Sequence, residues 1–295
     1  MTAAALLLVI LAALCHASWN FLTKRSTSRL YFLWWTGLVG SLLFLPPVIW
    51  LTPDWAWPPS VWGRIGLAAA LRAGYFLALG AAYGHGDLSL VYPLARGTAV
   101  VLVLPLAMLF LGETPALVGV LGVLSVGAGA YVLHLPGLTG AALQGPLRAL
   151  RRPHAGYALL TGLLIATYSL VDKWNMGYGI PPLVYAYLTI PLAALCLTPL
   201  VLRDREALRA EWRINRRAIA TVACLMPGGY LLVLFALQLS PVSYVAAARE
   251  LAVVFGTLLG ILLLRERYFL PRLLGAGLIV AGVILLGVAP ASDPR

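Results

Sequence analysis

The sequence predicts an all-α membrane protein of ten transmembrane helices, arranged as two inverted five-helix repeats. Three observations lead there. Hydrophobic residues make up 61% of the 295 positions and charged residues only 11%, with a mean hydropathy of +0.92, whereas soluble domains are about a quarter charged. The apolar residues gather in ten runs, each long enough to cross ~30 Å of hydrocarbon as a helix. The second five runs repeat features of the first five.

The runs span roughly 3–22, 30–52, 61–83, 90–111, 115–134, 155–175, 180–202, 217–238, 243–264 and 270–289. Between them lie short polar or turn-forming stretches, among them "PDWAWPPS", "GHGDLS", "GETP" and "LSPV", where proline and glycine interrupt regular structure. The opening "MTAAALLLVILAALCHAS" has no Lys or Arg ahead of its apolar stretch, as a signal peptide would need, so it is read as the first membrane helix.

Orientation follows from the basic residues. Of the 21 Lys and Arg, 15 fall in or beside the odd-numbered loops and three (Arg64, Lys173, Arg295) on the opposite side. Positive charge marks the cytoplasmic side, so both termini are predicted outside. Glycine-rich "PGLTGAALQGPLRALRRPH" becomes a cytoplasmic linker, giving three units: a first repeat over 1–134, the linker over 135–154, and a second repeat over 155–290. The surplus of +11 is thereby explained by topology, and no nucleic-acid partner is expected. Cys15, Cys196 and Cys224 stand apart in apolar runs without metal-ligand spacing. They read as packing residues, and no metal or cofactor is expected.

A shift of 153 residues aligns Ala95-Arg96 with Ala248-Arg249, Glu113 with Glu266, Gly122 with Gly275 and Gly129 with Gly282; 15 of 39 positions from Ala95 to Leu133 are identical. Farther back, Gly74-Tyr75 aligns with Gly229-Tyr230 once two loop residues are skipped. Because five crossings is an odd number, the second half enters the membrane upside down. Inverted repeats are the build of many secondary transporters, since exchanging the conformations of the halves exchanges the open face.

Several segments carry a resemblance: "HASWNFLTK" ending the first helix, "DLSLVYPLARG" opening the fourth, "ATYSLVDK" in the sixth, "GE" ending the fourth and "RE" ending the ninth. Together with the 5+5 repeat, they resemble the EamA family of the drug/metabolite transporter superfamily over nearly the whole chain. The resemblance implies transport of a small solute and leaves the cargo open. It also implies that the fifth and tenth helices pack the halves together. Gly119, Gly122, Ser125 and Gly129 on one, with Gly275, Gly277, Ala281 and Gly282 on the other, suit close helix contact.

The candidate site residues are the intramembrane charges first, because a charge in hydrocarbon must be paired, hydrated or functional. Arg96 and Arg249 occupy equivalent positions in the fourth and ninth helices; Glu250 adjoins Arg249, where the first half has Gly97. Arg72 lies deep in the third helix with Tyr75 one turn away. Three arginines against one glutamate make a basic interior that suits a carboxylate. Glu250 suits a substrate amine or a coupling proton, or pairs with Arg96 or Arg249. Tyr75, Tyr168 and Tyr230 are placed on the cavity wall, and Trp19 and His16 line the polar end of the first helix. Asp172-Lys173 is assigned to an interface or a local pair, Glu113 and Glu266 to helix-to-helix turns, and Trp50, Trp55, Trp57 and Trp62 to an aromatic belt. Prolines in the spans are read as hinges, Pro93 foremost.

The function expected is secondary transport of small organic solutes by alternating access, with amino acids or related carboxylated metabolites as cargo, in the exporting direction and with proton coupling. A facilitative exchanger without ion coupling is the alternative. A membrane-embedded enzyme would need a motif such as H-E-x-x-H or G-x-S-x-G, and none occurs. The expected setting is a bacterial inner membrane and its lipid bilayer, with the chain a monomer or weak dimer.

Overall fold

The computed structural model of the chain describes residues 1–51, 57–85, 88–149, 155–264 and 270–290. Those residues form helices α1 (Ala3–Lys24), α2 (Arg29–Leu51), α3 (Pro59–His85), α4 (Leu88–Leu111), α5 (Leu117–Leu133), α6 (Gly140–Ala149), α7 (Ala155–Gly177), α8 (Pro182–Val201), α9 (Arg205–Leu239), α10 (Val242–Ala248), α11 (Leu251–Leu264) and α12 (Leu270–Val288), with no strand among them. A helix satisfies every backbone group within itself, which hydrocarbon demands. Among the described residues eight segments are long and apolar enough to cross a membrane, and α5 is a shorter apolar helix of 17 residues. Outward-facing Leu42, Leu109, Phe110, Leu195 and Ile284 leave an apolar exterior for lipid.

The ten predicted spans map onto α1–α5, α7–α9, the α10–α11 pair and α12. Three differences have physical reasons. The ninth span is broken, with Arg249 and Glu250 in a turn between α10 and α11. The eighth extends back to Arg205, giving a 35-residue helix. Its polar first part has an apolar stripe, Leu208 and Trp212, and Trp35 stacks on Trp212 at 4.7 Å while donating to the Leu208 carbonyl at 2.9 Å. The third is α6, an amphipathic helix within the glycine-rich linker. Conversely α4 runs unbroken past Pro105, and α2, α8 and α9 carry Pro46, Pro47, Pro191, Pro199 and Pro227 inside continuous helices. Pro93 lies in α4, its side chain outside the described residues.

The α5–α12 contact shows the inversion directly. A Cβ on Gly122 would sit 2.9 Å from the Gly282 carbonyl, and one on Gly129 would sit 2.7 Å from the Gly275 carbonyl. Later residues of α5 thus meet earlier residues of α12, so the helices are antiparallel. Exchanging repeat equivalents (122 with 275, 129 with 282) converts one contact into the other, as a pseudo-twofold axis between them requires. Ser125 Oγ donates to the Leu278 carbonyl at 2.9 Å in the same seam. Gly277, by contrast, has open space where its Cβ would be, so the contact stripe is Gly275–Gly282 and not Gly277–Ala281.

Much of the remaining packing crosses between repeats in symmetry-related pairs: α4 on α7 and α11 on α1, α1 on α9 and α7 on α3, α2 on α9 and α8 on α3. Each half therefore completes its core with the other. The Met1 ammonium donates to the Leu286 and Ala289 carbonyls at 3.1 and 3.0 Å, setting the start of α1 beside the end of α12. Of the cysteines only Cys15 packs inside; Cys196 and Cys224 are exposed on the apolar exterior, which corrects their reading as packing residues.

Candidate functional site

Two buried charge clusters lie along α7. The first joins the repeats at mid-membrane. Arg96 is eight residues into α4 and Glu250 eight residues past the start of α10, each about 12 Å along its segment at 1.5 Å per residue. Since the repeats are inverted, those depths are measured from opposite faces and converge near the middle. There Arg96 Nη2 and Glu250 Oε1 meet at 3.2 Å, with side chains only 12% and 4% exposed. Glu250 Oε2 has no hydrogen-bond partner among the described residues. Arg96, Arg249 and Glu250 line a small cavity with Ala99, Val103, Ile165, Ser169 and Ala246.

The helix break places this carboxylate. At Arg249–Glu250 the backbone leaves the α-helical pattern: the Arg249 carbonyl accepts from Ala252 N at 3.1 Å and the Glu250 carbonyl from Val253 N at 2.9 Å, tight three-residue turns that reset the helix. His16 of α1 lies within electrostatic reach of both Arg96 and Arg249, and packs edge-on to Trp19 at 4.8 Å. Trp19 itself faces the Phe32, Ile219 and Val222 cluster of α2 and α9. Arg96, Arg249 and Glu250 thus come together, with His16 within electrostatic reach of the two arginines and Trp19 packed on His16.

The second cluster was only partly foreseen. Arg72 Nη2 donates to both oxygens of Asp172, at 3.0 and 2.8 Å, and also to the Tyr230 hydroxyl. The Tyr185 hydroxyl donates to Asp172 Oδ1 at 2.8 Å, and Asn175 Nδ2 supports that hydroxyl at 3.3 Å. The guanidinium lies 4.0 Å from the Tyr230 ring centre and 5.0 Å from that of Tyr168, within cation–π range. Tyr75 meets Tyr168 edge-on at 5.9 Å. Arg72 is therefore fixed in the interior and does not snorkel; Tyr168 and Tyr230 flank the ion pair, and Tyr75 packs on Tyr168 beside Ala99 and Ile165 of the cavity lining.

Asp172 is the main residue that sequence reasoning misassigned. It is 1% exposed and pairs neither with Lys173 nor at an interface. A signal existed: Tyr168, Asp172 and Asn175 are spaced i, i+4, i+7, one face of α7. Adding Asp172 changes the charge balance of the central region, which has three arginines against two carboxylates. Lys173 points elsewhere, donating to the Leu237 and Ser240 carbonyls at 2.6 and 3.0 Å and so capping the end of α9. Glu113 caps not the helix that follows it but α10 of the other repeat. Its carboxylate accepts from Val242 N at 2.5 Å, Ser243 N at 3.3 Å and Ser243 Oγ at 2.6 Å. Its repeat equivalent Glu266 lies outside the described residues, as do Trp55, Arg151, Arg152, Arg265, Arg267 and Arg295.

The family model for the EamA-like transporter family matches residues 3–135 and 153–288. The chain belongs to the EamA-like transporter family. As an EamA-like protein it is a multi-pass membrane transporter of small solutes, and its two matched stretches are the two repeats. No curated protein matches the chain. A solved structure described as "Crystal structure of protein" superposes with a TM-score of 0.73 at 18% identity, covering 98% of this chain and 99% of that one. At that identity the likeness concerns the fold: this EamA-like chain shares its whole architecture with a protein of experimentally known structure.

Proposed function

We propose that this EamA-like protein carries small carboxylated solutes, amino acids or related metabolites, by alternating access through one central site at Arg96, Arg249 and Glu250. The observation that carries the reading is the broken helix. The α10–α11 turn sets Glu250 against Arg96 of the other repeat in a cavity, so the pair joins the two bodies that must move. A stretch of tighter three-residue turns inside a helix often marks a functional hinge, and transporter sites are commonly built where membrane helices are interrupted.

In this mechanism the solute's carboxylate displaces Glu250 from Arg96, which takes it through paired N–H donors. Arg249 supplies the excess positive charge, and the displaced Glu250 receives the solute's amine or a proton. Tyr75, Tyr168, Tyr230 and Arg72 bound the path beyond the cavity along α7, with His16 and Trp19 on the α1 side. Neutralising Glu250 by a proton or an amine gives the cavity its coupling step, because an unpaired carboxylate is costly at that depth. Export is the direction expected of the cycle in a bacterial inner membrane.

Purified protein reconstituted into proteoliposomes tests this with labelled amino acids, their decarboxylated amines and their deaminated acids, with and without a pH gradient. The reading expects saturable flux of carboxylated solutes, accelerated by the gradient and lost in Arg96→Ala. Flux of the amines alone, or wild-type flux in Arg96→Ala, overturns the assignment. Gradient-independent flux would replace coupling with facilitated exchange.

A further inference from the structure

We infer that Asp172 and Tyr185 are gating residues: with Arg72 and Tyr230 they form a latch that closes only one face of the protein, the face where α3 begins and α7 ends. The inference rests on the alternating-access reading and adds to it which residues release when that face opens.

The latch ties the two repeats. Arg72 comes from α3 in the first repeat; Asp172, Tyr185 and Tyr230 come from α7, α8 and α9 in the second. Its place in the path follows from the antiparallel register of α3 and α7. Arg64, near the start of α3, lies 4.6 Å from the Trp174 ring centre and 3.4 Å from that of Tyr178, near the end of α7. Two turns farther along α3, Arg72 meets Asp172, and one turn beyond Asp172 on α7, Ser169 lines the central cavity. The latch therefore stands between that face and the cavity.

Among the described residues no equivalent ion pair ties the repeats at the other face. The repeat matches α3 with α9 and α7 with α1, and Gly74-Tyr75 with Gly229-Tyr230, so Arg72 corresponds to Pro227. Aligning Lys173 with Lys24 makes Thr23 the counterpart of Asp172. Neither counterpart can form an ion pair: Pro227 packs by Gly40, and Thr23 Oγ1 donates to the Trp19 carbonyl of its own helix at 2.8 Å. There α9 and α1 pack through small residues, with a Cβ on Gly229 only 3.0 Å from the Cys15 Cβ, and the polar tie is a backbone one, Ser28 N donating to the buried Glu211 carboxylate at 2.7 Å.

The two closures respond differently to water. A buried ion pair contributes little net stability because its charges forgo hydration, but leaving one partner alone is costly. When a gap admits water, both partners recover hydration together, so a polar latch opens at modest cost and closes with defined geometry. Removing one member breaks that balance in the closed state only, and shifts the population towards the face being open.

The test uses Ser169→Cys as a reporter in the full-length chain, with Cys15, Cys196 and Cys224 replaced by alanine. A charged, membrane-impermeant thiol reagent is added to either face, in spheroplasts or inverted vesicles. Asp172→Asn and the gentler Tyr185→Phe are expected to raise labelling from the Pro59 face, Asp172→Asn about tenfold, equal to about 1.4 kcal/mol taken from the closed state. Labelling from the opposite face should not rise, and the exchange Arg72→Asp with Asp172→Arg should slow labelling from the Pro59 face again. Unchanged labelling in both single variants, or a rise from both faces alike, overturns the gate. Labelling of the reporter from each face without latch mutations reports on alternating access itself, so the two readings fail separately.

Discussion

Arg96 and Glu250 meet at 3.2 Å, and they are not symmetry equivalents. The repeat matches Arg96 with Arg249 and Glu250 with Gly97, so the pair forms only because one half carries a carboxylate where the other has glycine. A pseudo-symmetric scaffold thus holds one asymmetric ion pair at its centre. That arrangement leaves one arginine over, and a carboxylate oxygen, Glu250 Oε2, with no hydrogen-bond partner among the described residues.

The first prediction concerns this pair. Glu250→Gln or Arg96→Gln alone leaves the partner charge buried, which costs roughly 3–5 kcal/mol in soluble proteins. Each single variant should lower the thermal midpoint of the detergent-solubilised protein by several degrees. The double variant should recover much of that loss but not transport. Single variants as stable as wild type would show that the two charges are independently hydrated.

A second prediction concerns Glu113. Its carboxylate accepts three hydrogen bonds at the start of α10, the segment leading to Glu250. Glu113→Ala removes a helix cap joining the repeats and should cost about 1–2 kcal/mol, in line with other N-caps. Glu113→Gln, which keeps one acceptor oxygen, should cost less. Thermal melts followed by tryptophan fluorescence order the three proteins.

A third prediction separates two neighbouring glycines of α12. Gly282→Val places side-chain atoms where a Cβ alone would already lie 2.7 Å from the Gly122 carbonyl, and should prevent the α5–α12 seam from closing. Gly277→Val meets open space and should leave the yield of folded, monodisperse protein unchanged. Size-exclusion profiles after membrane extraction read the difference.

The fold was largely legible because its causes are local or periodic: apolar runs, turn residues and basic loops each leave a direct mark. The repeat was legible for the same reason, and Gly122, Gly129, Gly275 and Gly282 proved to be its contact. The break at Arg249–Glu250 was not, since no proline or glycine marks it; tight turns replace the missing helical bonds. The long start of α9 was hidden because its arginines read as loop, while Leu208 is buried and Trp212 packs against Trp35. In the site, Arg96, Arg249 and Glu250 stood out as charges in hydrocarbon. Asp172 did not, because an adjacent lysine two residues from the predicted end of the sixth span resembles an interface pair. Only the three-dimensional partner Arg72, a hundred residues away, reveals where it points.

The central claim is that one site formed by both repeats faces each side in turn. Counterflow in proteoliposomes tests it most directly: vesicles loaded with an unlabelled carboxylated solute are diluted into a trace of the same solute carrying label. The account predicts a transient accumulation of label above its equilibrium level, absent in Arg96→Ala. Label that rises monotonically to equilibrium, at a rate indifferent to the internal solute, would contradict it.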